Sequence, residues 1–429
     1  MTPTGKAVVN PPSPQNAIAL VRCTLAALPQ AHTNDRAAAV NALARAYLQS
    51  DLDAEARAEA EIAMTRALDD PEPRVRRALA QALAGARAAP RHVVVALAGD
   101  APAVARIVLA ASPLLTDEDL VEAAATGDTA MQVAIARRPR ISSKVCAALC
   151  EIGGAPAAHA LLGNLHAAVS EAALWRLFER FAEDETVRLR FAARPGLTAA
   201  LRAALAAATV EAYAAQAERF EPGQAGRLAR DGREQAFVAI AGDAPAEQLV
   251  ELVEWLRKRG HLTVGLLIRA LAGGDVALIG ESLAQMARVP RRRVVALMRA
   301  PRGLGFAALY RRAAMPLALL PAFRIAVERA GRTGGGVGVN HALTRAMLAD
   351  IEALGDAACR PVVAKLWRLA AEGARADARD YALPPTAGAV ETPLEYESAA
   401  PLLLLDAPGN ENFAPPVRLD IAIEDGIAA

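Results

Sequence analysis

The chain of 429 residues is 54% hydrophobic but only 4% aromatic, so alanine and leucine must supply most of its packing, and that composition favours helix. A formal net charge of +1 excludes capture of a partner by bulk electrostatics, and four cysteines, at 23, 146, 150 and 359, exclude a small disulfide framework. No apolar run reaches the about 20 residues of a membrane span, and residues 1–15 lack the apolar segment of a signal peptide, so a cytoplasmic protein with no membrane contact is expected.

Residues 1–16 read as a disordered leader, and helical repeats are expected over 17–209. Helical spacing of apolar residues runs through 17–28, 35–48 and 53–68. The stretch 69–85 then looks self-contained. Asp69 or Asp70 can cap it, Pro71 and Pro73 stand where no helical N–H is needed, and Gly85 suits a left-handed stop. Val75, Ala78, Leu79, Ala82 and Leu83 form its apolar stripe.

Further on, a proline followed three residues later by Thr or Ser recurs, as Pro113 with Thr116, Pro139 with Ser142 and Pro195 with Thr198. Each hydroxyl reads as an N-cap, and Leu115–Leu120, Ile141–Cys146 and Leu262–Leu267 fit a hydrophobic staple across it. Leu197 lacks such a partner, because Arg202 stands in its place. Gly-Asp pairs at 99–100, 127–128, 242–243 and 274–275 read as the stop of one helix and the cap of the next. Short helix pairs of this kind cannot bury an apolar face alone and must stack on their neighbours. Residues 210–233 are more polar and read as a joint or a long helix. Repeats resume over 234–330, followed by a Gly-rich loop at 331–340 and terminal helices at 341–379. The acidic, proline-containing tail at 380–429 is expected to be disordered.

Asp70-Pro71-Glu72-Pro73-Arg74-Val75-Arg76 and the Ala/Leu helix after it resemble the HEAT-repeat signature, which Glu185-Thr186-Val187-Arg188 echoes. Ser112-Pro113-Leu114-Leu115-Thr116, Ile135-Ala136-Arg137-Arg138-Pro139 and Gly303-Leu304-Gly305-Phe306 also resemble a bacterial family known as domain of unknown function 2336, over roughly 40–330. The resemblance implies a helical repeat fold and no assigned activity. The expected fold class is therefore all-α: a HEAT-like α-solenoid, a superhelix of stacked short helix pairs with disordered ends.

Few residues suggest chemistry. Cys146, Cys150, His159 and His166 imitate a zinc pattern, but the histidines stand seven apart on a helix, too far to share one ion. The glycines between Arg332 and Gly338 lack the Lys-Ser/Thr ending of a phosphate loop. No nucleophile motif is present. The expectation is no catalysis, no cofactor and no metal.

One charge asymmetry stands out. No acidic residue lies between Ser282 and Val327, an interval that carries Arg288, Arg291, Arg292, Arg293, Arg299, Arg302, Arg311, Arg312 and Arg324. The tail has the opposite bias, with acidic residues from Glu391 to Asp425 around the apolar run Leu402 to Leu405. The first eight of those arginines form a candidate basic surface for an acidic protein partner, which segment 391–425 could cover in cis. The alternative is nucleic-acid binding along Arg288–Arg312, less favoured because Phe306, Tyr310 and Phe323 sit in apolar helical pattern rather than on an exposed stacking face. A HEAT-type enzyme comes third.

Overall fold

The computed structural model describes residues 32–219, 223, 225–333, 335 and 338–382. The expected leader, the helix expected over 17–28 and the tail from 383 onward lie outside the described residues.

Among the described residues every regular element is helical. The first eleven α-helices are α1 (Thr33–Gln49), α2 (Ala54–Ala67), α3 (Pro73–Leu83), α4 (Arg91–Ala98), α5 (Pro102–Ala111), α6 (Asp117–Thr126), α7 (Thr129–Ala136), α8 (Ser143–Ile152), α9 (Ala155–Gly163), α10 (Glu171–Phe181) and α11 (Glu185–Ala192). Two longer helices follow, α12 (Ala199–Ala217) and α13 (Ala225–Asp243). Then come α14 (Ala246–Lys258), α15 (Val264–Ala272), α16 (Val276–Ala287), α17 (Arg291–Met298), α18 (Leu304–Arg312), α19 (Leu320–Thr333), α20 (His341–Glu352) and α21 (Arg360–Ala382).

Alternate helices stack on one another. α1, α3, α5, α7, α9 and α11 form one continuous layer, and α6, α8 and α10 stack in a second. In the later half α12, α14, α16 and α18 stack in order, while α13 packs on α15, and α15 on α19 and α20. This two-layered stacking of short pairs fits the expected α-solenoid. Helices of 8–11 residues are marginal alone, so burial of stripes such as Val75, Leu79 and Leu83, each 0% exposed, must hold them.

Neighbouring repeats are clipped together by side chains on backbone carbonyls. Arg138 donates to Leu109 O and Ser112 O at 2.6 and 2.7 Å, capping the end of α5. Asn164 Nδ2 donates to Ala136 O and Arg138 O, and Arg194 Nη1 to Leu162 O at 2.9 Å. Arg138 and Arg194 directly precede the recurring prolines, and Asn164 takes the equivalent place where the proline is missing. Helix ends leave carbonyls without partners and carry partial negative charge, which makes a cation there favourable.

A second clip is ionic. Arg36 forms a forked pair with Asp70, Nε at 2.9 Å and Nη2 at 3.0 Å, and Arg76 forms the same pair with Asp100 at 2.6 and 2.8 Å. Arg76 also donates to Asp70 O, as Arg188 does to Ala182 O six residues back, so the echo at 185–188 reproduces the contact.

Several expected caps are used otherwise. Thr116, Ser142, Thr263, Asp128, Asp275 and Asn340 do cap their helices. Thr198 stands at the N-cap position, but its hydroxyl donates to Glu171 instead. Asp70 bonds the Glu72 N–H just before α3, whose N-cap is Glu72, and Asp100 bonds the Ala101 N–H outside α5. Gly85 is not left-handed, and Gly242-Asp243 is not a turn, because α13 continues through both. Gly274 alone of the four Gly-Asp glycines takes a positive φ, at 77°.

The apolar interior forms two clusters, one from Val40 to Leu205 and one from Ala199 to Leu369. They meet on α12, where Leu201 and Leu205 join the first and Ala199, Ala203 and Ala207 the second. Residues 210–233, read from polarity as a joint or a long helix, fall on the end of α12, the start of α13 and the segment between them. The Gly-rich loop expected at 331–340 is helical at its start and bonded at its end. α19 reaches Thr333, and Asn340 N donates to Ala272 O at 3.0 Å.

Candidate interaction surface

The acid-free arginines fall on the C-cap of α16 (Arg288), the first turn and C-cap of α17 (Arg291, Arg292, Arg293, Arg299), the following loop (Arg302), the last turn of α18 (Arg311, Arg312) and α19 (Arg324). α17 packs mainly on its neighbours α16 and α18 and buries little beyond Val294 and Met298. Its polar positions therefore face solvent. Arg288, Arg292, Arg293, Arg299 and Arg311 are exposed and form no ion pair among the described residues.

The other three candidates are partly engaged. Arg302 Nε donates to Glu328 at 2.9 Å yet remains 82% exposed. Arg291 stands 3.9 Å from Glu281. Arg312 Nε donates to Ala287 O at 2.7 Å, which ties α18 to the end of α16. The carboxylates come from Glu281 and Glu328, which flank the acid-free interval and reach into it.

Two local choices here are unfavourable for folding. Arg288 ends α16 in the left-handed region, φ 54° and ψ 50°, where glycine is the usual occupant. Arg291, Arg292 and Arg293 fill the first turn of α17 behind Pro290, which offers no side-chain cap. Cations at a helix N-terminus oppose the macrodipole by about 0.3–1 kcal/mol each. An anion placed there would reverse that sign.

Beside this patch lies a cleft of about 690 Å³. Val276, Val295, Met298 and Val327 give it an apolar floor, and Arg291, Arg299, Arg302 and Arg332 line it with Glu328. Leu304 nearby is 89% exposed. Among the described residues Arg299 is the unpaired one of these arginines, while Arg302 and Arg332 share Glu328 and Arg291 faces Glu281. Apolar surface rimmed by more guanidinium groups than carboxylates suits an extended segment that alternates apolar and acidic residues.

The aromatic residues of this region face inward. Phe306, Tyr310 and Phe323 are 0% exposed, with Tyr310 and Phe323 ring centroids 5.3 Å apart. Burial pushes the Tyr310 hydroxyl pKa well up, and its O–H donates to Pro316 O. None of the three is available to stack on a base.

The zinc-like pattern is split by burial. Cys146 and Cys150 belong to the first apolar cluster, while His159 and His166 are exposed. Burial pushes the two thiols up to about 11 and about 12.

A second charged site had no pattern in the sequence. Lys365 on α21 donates to Asp231 and, at 2.7 Å, to Glu234, both on α13. Thr263 donates to Glu234 as well, and Arg269 on α15 donates to Glu372 at 2.6 Å. Lys365, Glu234 and Arg269 are buried, at 8%, 5% and 3% exposure. The one trace of this site in the sequence is Lys365 itself, one of four lysines among 48 basic residues.

Among the described residues no helix is long and apolar enough to cross a membrane. Comparison with known families matches residues 104–360 to a family described as "Uncharacterised protein conserved in bacteria (DUF2336)". Comparison with curated proteins and with solved structures finds no match.

Proposed function

The chain belongs to this bacterial family, DUF2336, and from that premise and the geometry above we propose that it is a non-catalytic interaction module that binds acidic protein segments at the α16–α18 arginine surface. One observation carries the reading. Five exposed arginines have no acidic partner among the described residues; of these Arg299 lines a cleft whose floor is apolar, and Arg292 and Arg293 stand on α17, whose Val295 and Met298 line it too. The placement of Arg288, Arg292 and Arg293 costs local stability, and local conflicts with folding rules concentrate at functional sites.

The partner is an acidic segment with interspersed apolar side chains, acting in the cytoplasm. Residues 391–425 of the same chain have that chemistry, with Leu402 to Leu405, Ile421 and Ile423 among Glu391, Glu395, Glu397, Asp406 and Asp420. They are the first ligand to try.

The test uses a 391–425 peptide and protein ending at Ala382. Binding should weaken steeply with salt and fall at least about tenfold in Arg292→Glu/Arg293→Glu/Arg299→Glu. If the peptide does not bind, and amide exchange over 288–312 is the same with and without the tail, cover in cis is wrong. Affinity purification with the wild type and the triple variant then tests external acidic partners. Partners that persist on the triple variant would overturn the reading. Salt-dependent binding of DNA or RNA lost in that variant would favour the nucleic-acid alternative instead.

A further inference from the structure

The buried charge network opens onto a second cleft, of about 1020 Å³, at the meeting of α13, α15 and α21. This volume is at the upper end of small-molecule sites. The cleft is lined by Arg227, Arg230, Arg233, Lys365 and Arg368 against the carboxylates Asp231 and Glu234. Both carboxylates are held by the Lys365 ammonium, and Arg233 pairs with Glu211 at 3.0 Å. Arg227, Arg230 and Arg368 remain. All three are exposed and form no ion pair among the described residues.

Their convergence follows from helix geometry. Arg227 and Arg230 stand three apart on α13, on one face, next to Asp231. Arg368 stands three after Lys365 on α21, and Lys365 is bonded to that same Asp231. Charge from Arg368 reaches Asp231 and helps to hold its carboxyl below the usual range. The network thus braces α13 against α21, and Arg227, Arg230 and Arg368 of these two helices line one opening. Gly265 completes it, since a side chain there would meet Glu234 Oε1 at 2.5 Å.

We propose that this cleft binds a small molecule bearing two or more phosphate groups, held by Arg227, Arg230 and Arg368. Guanidinium forks match phosphate oxygens in pairs. Lys365 offsets one of the two carboxylate charges, Arg269 Nε stands 3.9 Å from Glu234, and the lining cations Arg227, Arg230, Arg233 and Arg368 leave the cleft with an excess of positive charge. At the rim His261 lies 5.4 Å from the Phe237 ring and 5.5 Å from the Trp255 ring. Burial and then the charge of Arg233 lower its pKa, with Arg259 adding to this and Glu211 opposing it. A bound phosphate would raise that pKa, so His261 reports on occupancy.

The experiment is calorimetric titration of the full-length protein with ATP, with pyrophosphate and with citrate. ATP and pyrophosphate should bind, citrate should bind much more weakly, and Arg230→Gln/Arg368→Gln should weaken both phosphate probes at least about tenfold. The His261 titration midpoint, read by NMR, should rise when pyrophosphate is bound. Unchanged melting of the double variant separates lost binding from lost folding, and Arg227→Gln serves as a second variant. Arg292→Glu/Arg293→Glu/Arg299→Glu should bind pyrophosphate like the wild type, which separates this site from the α16–α18 surface. Absence of binding by both phosphate probes, citrate as tight as pyrophosphate, or full binding by the double variant would overturn the proposal.

Discussion

Arg288 shows how a single side chain can be kept against its own backbone preference. Its left-handed conformation costs a non-glycine residue roughly 1–2 kcal/mol. Arg288→Gly should therefore raise the unfolding free energy by about 1 kcal/mol in urea titrations while weakening acidic-peptide binding. Arg138 is the opposite case. Its guanidinium is spent on Leu109 O and Ser112 O in a buried place, and burial lowers its pKa. Arg138→Ala strands two carbonyls and should cost about 3 kcal/mol. Composition alone treats these two arginines alike. What distinguishes them is the preceding repeat, which brings carbonyls to Arg138, whereas Arg288 has no ion pair among the described residues. Cys146 and Cys150 make the same point, since thiols at about 11 and about 12 stay protonated at pH 8. Alkylation of their peptides, followed by mass spectrometry, should be slow until denaturant is added.

Between helices, charge is used as a fastener, and its pH dependence has a defined sign. Burial alone would raise Asp70, Asp100 and Asp231, but hydrogen bonds and charge from Arg36, Arg76 and Lys365 outweigh it and leave all three lowered. A carboxyl lowered by folding contributes stability that is fully present above its unfolded value, near 3.8. That contribution is lost as pH falls through the folded value beneath it. Acid titration followed by circular dichroism should show unfolding that begins below about pH 4. In Arg76→Gln the onset should move upward. Lys365→Met removes the cation between two carboxylates and should cost about 3–5 kcal/mol, measured by urea denaturation at pH 7. The Gly-Asp pair at 99–100 illustrates what local reading can miss. Asp100 looked like a helix cap, yet its carboxylate is the receptor for Arg76 of the preceding repeat. Both uses need an aspartate after a glycine, so spacing alone could not separate them.

The molecule as a whole is continuous through α12, whose two faces serve two apolar clusters. Leu201→Ala opens a cavity on one face and should cost about 3 kcal/mol. Hydrogen exchange should then quicken on both sides of α12, because among the described residues no other element belongs so evenly to both clusters. Helical content, the stacking of short pairs and most N-caps were legible because they rest on contacts within one turn or one repeat. Thr116, Ser142 and Thr263 each bond an N–H three residues away. The arginine-rich interval was visible as well, as a deficit of acid along the chain. Its exposure was not, and neither was the division of its members between solvent, Glu281, Glu328 and Ala287 O. Still less visible was the cleft braced by Lys365, whose partners lie 131 and 134 residues earlier. Local propensity and apolar spacing mark where the alanine-rich helices lie. Which charges are buried, paired or left free depends on stacking between repeats and on the return of α21 to α13, and only the folded chain decides that.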